Sequence, residues 1–293
     1  MRRSQCRTGR PHASRHAPAT VTGTLCALGA IALWATLASL GVALAHVPPF
    51  LLTGLALVVG SVPSWPLARQ WRVAPSTLLL GVCGLFGYHF LLFIALRNAP
   101  AVEANLVNYL WPLFIVVMAP LILRGATWRP VHLAAAVIGF VGAILAIVGG
   151  RELSGAFSWG YVAALASALI WASYSLLTKR VTPFPTAAIG LFGLVSGALA
   201  LVCHGVLEPS VSVSLRDWLL IGITGLGPLG AAFFLWDAAL KRGDPSTIGV
   251  LSYLTPLAST LLLMVTSDRQ PTAWIVAATV LIVGAAITGM RAR

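Results

Sequence analysis

The sequence predicts an all-α polytopic membrane protein whose ten transmembrane helices form two inverted five-helix repeats. Three observations lead there. Of 293 residues, 58% are hydrophobic and 9% charged, at a mean hydropathy of +0.91. Soluble domains carry about 25% charged residues, and no soluble fold can hide this much apolar surface. The apolar residues also fall in runs of the length a bilayer demands, about 20 helical residues per crossing. Finally, the chain repeats itself: Asn108-Tyr109-Leu110-Trp111-Pro112 returns 144 positions later as Ser252-Tyr253-Leu254-Thr255-Pro256, and Gly23 to Trp34 aligns without gaps on Gly160 to Trp171.

In chain order, residues 1–20 form a polar tail holding Arg2, Arg3, Arg7, Arg10 and Arg15. A basic segment before an apolar run imitates a secretory signal, and Ala43-Leu44-Ala45 imitates its cleavage site. The run from about 21 to 45 exceeds the usual ~7–15-residue signal core, however, and reads as a retained first helix. Ten spans follow, near 22–45, 47–68, 76–97, 101–123, 131–149, 158–178, 184–207, 217–240, 245–267 and 271–290. The loops between them are short, so sequential helices run antiparallel. The division expected is a tail at 1–20, a first repeat at 21–150 and a second, inverted repeat at 151–293.

Charge sets the orientation. With the N-terminus cytoplasmic, the inner segments hold 15 of the 19 basic residues, and the outer ones hold Arg97, Arg151, Arg216 and Arg269. That bias obeys the positive-inside rule and puts both termini in the cytoplasm. Each outer arginine also has an acid close in sequence, namely Glu103, Glu152, Asp217 and Asp268. The net charge of +12 would raise nucleic-acid binding in a soluble chain. Here topology accounts for it, and no nucleic acid is expected as partner.

Because five is an odd number of crossings, the second repeat is inverted in the membrane. Inverted repeats with helices broken at the midplane are a recurrent transporter design, with cargo held between the halves. The fourth span fits it. Asn105, Asn108, Tyr109 and Trp111 share an apolar run with Pro112, and amides at that depth face other helices or a wet interior. Pro112 and its mate Pro256 mark helix breaks, since a mid-span proline frees a backbone carbonyl one turn earlier. Gly84 in the third span stands opposite Pro228 in the eighth, so both helices are expected to flex there, as alternating access requires.

Several signals point elsewhere and are set aside. Gly225-Leu226-Gly227-Pro228-Leu229-Gly230 matches GxGxxG by letter, but a transmembrane helix surrounds it, not the strand and helix of a dinucleotide site. HExxH and GxSxG are absent, which argues against an intramembrane hydrolase. Cys6, Cys26, Cys83 and Cys203 form no CxxC pair, so no disulfide framework, metal site or cofactor is expected. Asp237, the acid deepest in an apolar run, is expected to pair with Lys241 at i,i+4. The sharper alternative is a proton-coupling carboxylate. Glu103 is expected to serve as gate partner of Arg97 or as plain surface charge.

Two five-helix repeats, a basic start, and the NYLWP and SYLTP segments of spans four and nine resemble the drug/metabolite transporter superfamily with EamA-type domains. Asn108 to Pro112, supported by Tyr88-His89, is most similar to the aromatic amino acid exporter branch. The resemblance implies an exporter of amino acids in a bacterial-type cytoplasmic membrane, with a central cavity and no enzymatic activity. The residues expected to line that cavity are Trp111, Tyr109, Asn108, Tyr88, His89 and Trp171. Rings with a polar handle suit an amphipathic ligand such as Trp, Phe or Tyr, and an intramembrane His is a functional candidate by default. Trp171, flanked by Ser173, Tyr174 and Ser175, is preferred to its repeat mate Trp34, which reads as packing. The expected assembly is a monomer in the bilayer with a small-molecule substrate. Rival readings are a transporter of the same fold with another metabolite or drug as cargo, an intramembrane enzyme, and a passive channel.

Overall fold

The computed structural model describes residues 17–153, 156–266 and 272–291. The arginines of the N-terminal tail, the Asp268–Arg269 pair and Arg293 lie outside them. Among the described residues ten apolar helices are long enough to cross a bilayer, which makes this a multi-pass membrane protein. They are α1 (Val21–Ala43), α2 (Pro49–Trp71), α3 (Pro75–Asn98), α4 (Ala101–Ile122), α5 (Pro130–Val148), α6 (Trp159–Leu177), α7 (Thr186–Leu207), α8 (Leu215–Arg242), α9 (Pro245–Val265) and α10 (Ala273–Arg291). Each lies within about three residues of its expected place, because the thickness of the hydrocarbon core sets helix length. Among the described residues there is no strand.

The packing has the symmetry of the sequence. Helix α1 runs along the second half of α8, and its mate α6 runs along the second half of α3. Likewise α2 pairs with α7, α5 pairs with α10, and α4 meets α9. Each of these last three pairs joins one helix to its own counterpart. The two crossings of the first kind depend on matched glycines. A Cβ on Gly23 would stand 2.6 Å from the Gly243 backbone, and a Cβ on Gly160 would stand 2.6 Å from the Ala95 carbonyl. Small residues let helix backbones approach in a medium where the hydrophobic effect does not drive helices together.

Two pairs of counterpart spans are interrupted near mid-span, in addition to a break at Thr36 in α1 that its mate α6 lacks. Both α3 and α8 carry a π-helical turn near mid-span, at Cys83–Gly87 and at Gly227–Ala231. These are the segments containing Gly84 and Pro228, and such turns concentrate at functional sites. Helix α4 stops after Asn108 and resumes at Trp111, while α9 stops after Leu251 and resumes at Leu254. One detail corrects the expectation for the prolines. Pro112 does not interrupt a running helix; it sits in the first turn of the new one, where a missing N–H is least costly. The break itself falls on Tyr109 and Leu110, whose amides reach Asn105 O at 2.9 Å and Val107 O at 3.1 Å.

Candidate functional site

At mid-depth, α1, α4, α6 and α8 bring four tryptophans together. Trp34 lies 5.2 Å, 5.9 Å and 6.4 Å from the ring centroids of Trp236, Trp171 and Trp111. Trp111 stands edge-on to Trp236 at 5.6 Å, and Phe233 closes the group 5.7 Å from Trp171. Edge-to-face pairs of this kind contribute about 0.5–1.5 kcal/mol each beyond their buried area. Two indole N–H groups are fixed: Trp34 donates to the Pro228 carbonyl at 3.1 Å, within the π turn of α8, and Trp236 donates to Ser175 Oγ at 3.1 Å. All four indoles are buried.

A polar relay adjoins the rings. Asn108, at the end of the first half of α4, donates through Nδ2 to Tyr88 Oη at 3.1 Å. Ser167 on α6 places its hydroxyl 3.3 Å from Asn108 Oδ1 and 3.1 Å from the Tyr88 carbonyl. Tyr88 in turn packs on Trp171, with ring centroids 5.3 Å apart. The relay therefore touches the indole cluster directly. His89 turns Nδ1 to the Leu85 carbonyl at 2.6 Å. A carbonyl only accepts, so Nδ1 carries the proton and Nε2 is left as an acceptor. Its ring lies 6.2 Å from Phe233.

Of the six expected residues, Trp111, Trp171, Tyr88, Asn108 and His89 converge here. Tyr109 is half-buried on the turn of α4 and makes no ring contact among the described residues. The rings pack against one another, so the expected central cavity is occupied by the side chains expected to line it. Sequence reasoning also missed four members, Phe233 among them. Trp34, assigned to packing, touches every other indole. Trp236 and Ser167 passed unremarked, although each departs from its repeat mate, Leu92 and Ala30 respectively.

The expected charge pairs divide. Lys241 and Asp237 do meet, at 2.6 Å. Arg97 does not choose Glu103: it binds Glu208, at the end of α7, at 2.9 Å, and Glu103 accepts from the Tyr161 hydroxyl. Sequence proximity misled because Glu208 comes from a distant span.

Comparison with known proteins agrees with the architecture. A protein of Ancylobacter novellus named aromatic amino acid exporter YddG is 41% identical over 283 residues, covering 93% of this chain and 98% of that protein. The Escherichia coli K12 protein of the same name is 27% identical, covering 82% of this chain and 86% of its own length. A solved crystal structure of 41% identity superposes with a TM-score of 0.86 over 92% of this chain and 96% of that one. Residues 21–148 and 158–289 each match the EamA-like transporter family, so the chain belongs to that family of membrane transporters.

Proposed function

We propose that this protein exports aromatic or other hydrophobic amino acids across a cytoplasmic membrane. It does so by alternating access to a site between its inverted halves, with both termini cytoplasmic. The observation that carries the reading is the division of the site into two chemically different halves in contact. An amino acid has the same division. Its side chain would replace one indole's neighbours in the aromatic cluster, and its ammonium and carboxylate would meet the relay of Tyr88, Asn108 and Ser167. The names borne by the similar proteins of Ancylobacter novellus and Escherichia coli support the same cargo.

Neutral donors and acceptors suit a zwitterion that carries no net charge, and preorganised dipoles hold such groups at modest desolvation cost. The rings fill the site against one another. Cargo then enters only when Trp111 or Trp236 swings away, with the turns of α4 and α8 supplying the freedom. Because the relay has no carboxylate of its own, the simplest driving force is the gradient of the amino acid itself.

The test is counterflow of labelled Trp, Phe, Met and Thr into liposomes carrying the purified protein, with Trp111→Ala beside the wild type. Saturable exchange of Trp and Phe, reduced about tenfold or more by Trp111→Ala in protein that still folds, is the expected result; a buried aromatic contact of a few kcal/mol implies at least that. Exchange indifferent to Trp111→Ala would move the site. No exchange of any amino acid by folded protein would remove the cargo and leave a transporter of another metabolite.

A further inference from the structure

The cations at the two ends of the molecule are counterparts under the inverted repeat, although their acids are not: Glu208 follows α7, and Asp237 shares α8 with Lys241. Arg97 ends the second half of α3 and Lys241 ends the second half of α8, at aligned positions of the two copies. Each cation lies over a phenylalanine at the beginning of the neighbouring unit. Arg97 Cζ is 5.6 Å from the ring of Phe50, which starts α2, and Lys241 Nζ is 4.0 Å from the ring of Phe184, just before α7. Each also binds a carboxylate whose side chain is at most 2% exposed, Glu208 in one case and Asp237 in the other. Because the copies are inverted, one assembly sits at each face of the membrane.

We propose that two latches, one for each face, open in alternation: Arg97–Glu208, which joins α3 to α7, and the hold of Lys241 and its i,i+4 partner Asp237 on Phe184 and Thr186, which joins α8 to the start of α7. The proposal rests on the carrier reading above. At the Arg97 face, Glu208 accepts from the amides of Phe50 at 3.0 Å and Leu51 at 3.2 Å, and from His204 Nδ1 at 3.0 Å. One carboxylate thus binds the start of α2, the end of α3 and the end of α7. At the Lys241 face, Lys241 also donates to the Phe184 carbonyl at 2.8 Å, and Thr186 Oγ1 donates to Asp237 Oδ2 at 2.6 Å. The end of α8 is thereby fixed to the start of α7. Lys179 donates to the Gly243 carbonyl at 3.0 Å, which ties the end of α6 to the same corner. The aromatic cluster lies between these two corners, so a path to it from either face requires that face's latch to part. Both are closed here. A cation and an acid released at a wet mouth regain water, whereas the same groups held in the membrane need each other. Each latch is therefore stable closed and stable open, as a two-state gate must be.

The experiment is hydrogen–deuterium exchange of the full-length protein in lipid nanodiscs, comparing wild type, Lys241→Gln, Arg97→Gln and Lys241→Arg. Lys241→Gln should raise exchange at residues 184–189 and 237–242 and slow it at residues 50–54 and 204–208. The distal change should be about fivefold or more, the lower end of ordinary coupling between sites. Arg97→Gln should give the mirror result, and Lys241→Arg should restore the wild-type pattern. Should Lys241→Gln yield no monodisperse protein, Asp237→Asn opens the same latch and is read the same way. Loosening confined to the mutated face, with no distal slowing in either variant, would overturn the latches, because a merely structural ion pair loosens only its own surroundings. Wild-type counterflow separates the two readings: exchange without reciprocity discards the latches and keeps the carrier. Reciprocity without amino acid exchange keeps the latches and discards the cargo.

Discussion

Ser167 shows how much one hydroxyl decides. It stands where the first repeat has Ala30, fully buried on α6, within reach of both the Asn108 amide and the Tyr88 carbonyl. Interhelical hydrogen bonds in membranes contribute about 0.6 kcal/mol on average to stability, so Ser167→Ala should leave the unfolding midpoint nearly unchanged. Its effect should fall on the cargo. With Asn108 held at one oxygen fewer, KM in the counterflow assay should rise about fivefold, the equivalent of one neutral hydrogen bond of roughly 1 kcal/mol. An unchanged KM would show that Asn108 keeps its orientation without Ser167. Asn108 itself was legible in the sequence, since an amide beside a proline deep in an apolar run has few structural excuses. Ser167 was not, because serine in a transmembrane helix reads as a packing residue. Only comparison of the two repeats, position by position, singles it out, and the same comparison singles out Trp236 against Leu92.

At the scale of elements, span positions were legible because bilayer thickness constrains them, and the breaks were legible only in part. Proline and glycine marked where α3, α4, α8 and α9 depart from regularity. Whether a departure becomes a π turn or a stop and restart depends on which partners the freed carbonyls find, and those belong to other helices. The π turn of α3 is a case in point. A Cβ at Gly84 would stand 2.3 Å from the ring of Tyr174 on α6, an approach that no small shift relieves. Gly84→Ala should therefore destabilise the fold by about 1–3 kcal/mol, the usual cost of overpacking, as read from denaturant titration in detergent micelles. Combining it with Tyr174→Leu should recover part of the loss. Gly222, on the same kind of helix but with nothing within 4 Å of its would-be Cβ, serves as control. Gly222→Ala should be neutral or stabilising by at most about 1 kcal/mol, from helix propensity. Equal loss in both variants would mean that glycine flexibility, and not the contact with Tyr174, is what α3 requires.

For the whole molecule, orientation follows from where the charges lie. Among the described residues, Arg69, Arg72, Arg124, Arg129, Lys179, Arg180, Lys241, Arg242 and Arg291 gather at one end of the bundle, and Arg97, Arg151 and Arg216 lie at the other. At the latter end Arg97 binds Glu208, and Asp217, which caps α8 through Ser214, faces His46. At the basic end an open basin of about 680 Å³ is lined by Arg124, Lys179 and Arg180 together with Leu123, Gly125 and Ala126. Basic loops resist translocation whereas acids have little influence, so the basic end should stay in the cytoplasm. Alkaline phosphatase fused after Arg291 should then be inactive and green fluorescent protein at the same point fluorescent, while phosphatase inserted after Glu152 should be active. The inverted architecture makes this more than a matter of labelling, because turning the molecule over exchanges the two latches. With the basic end inside, the proposed latch of Lys241 and Asp237 on Phe184 and Thr186 would guard the cytoplasmic mouth. Its acid keeps one oxygen, Oδ1, buried without a partner, whereas Glu208 receives four donors. An unsatisfied buried oxygen weakens the closed state, so the cytoplasmic latch should part more readily, and an empty exporter should wait open toward the side from which its cargo comes. Active phosphatase at the C-terminus would reverse that bias and leave the protein resting open to the outside.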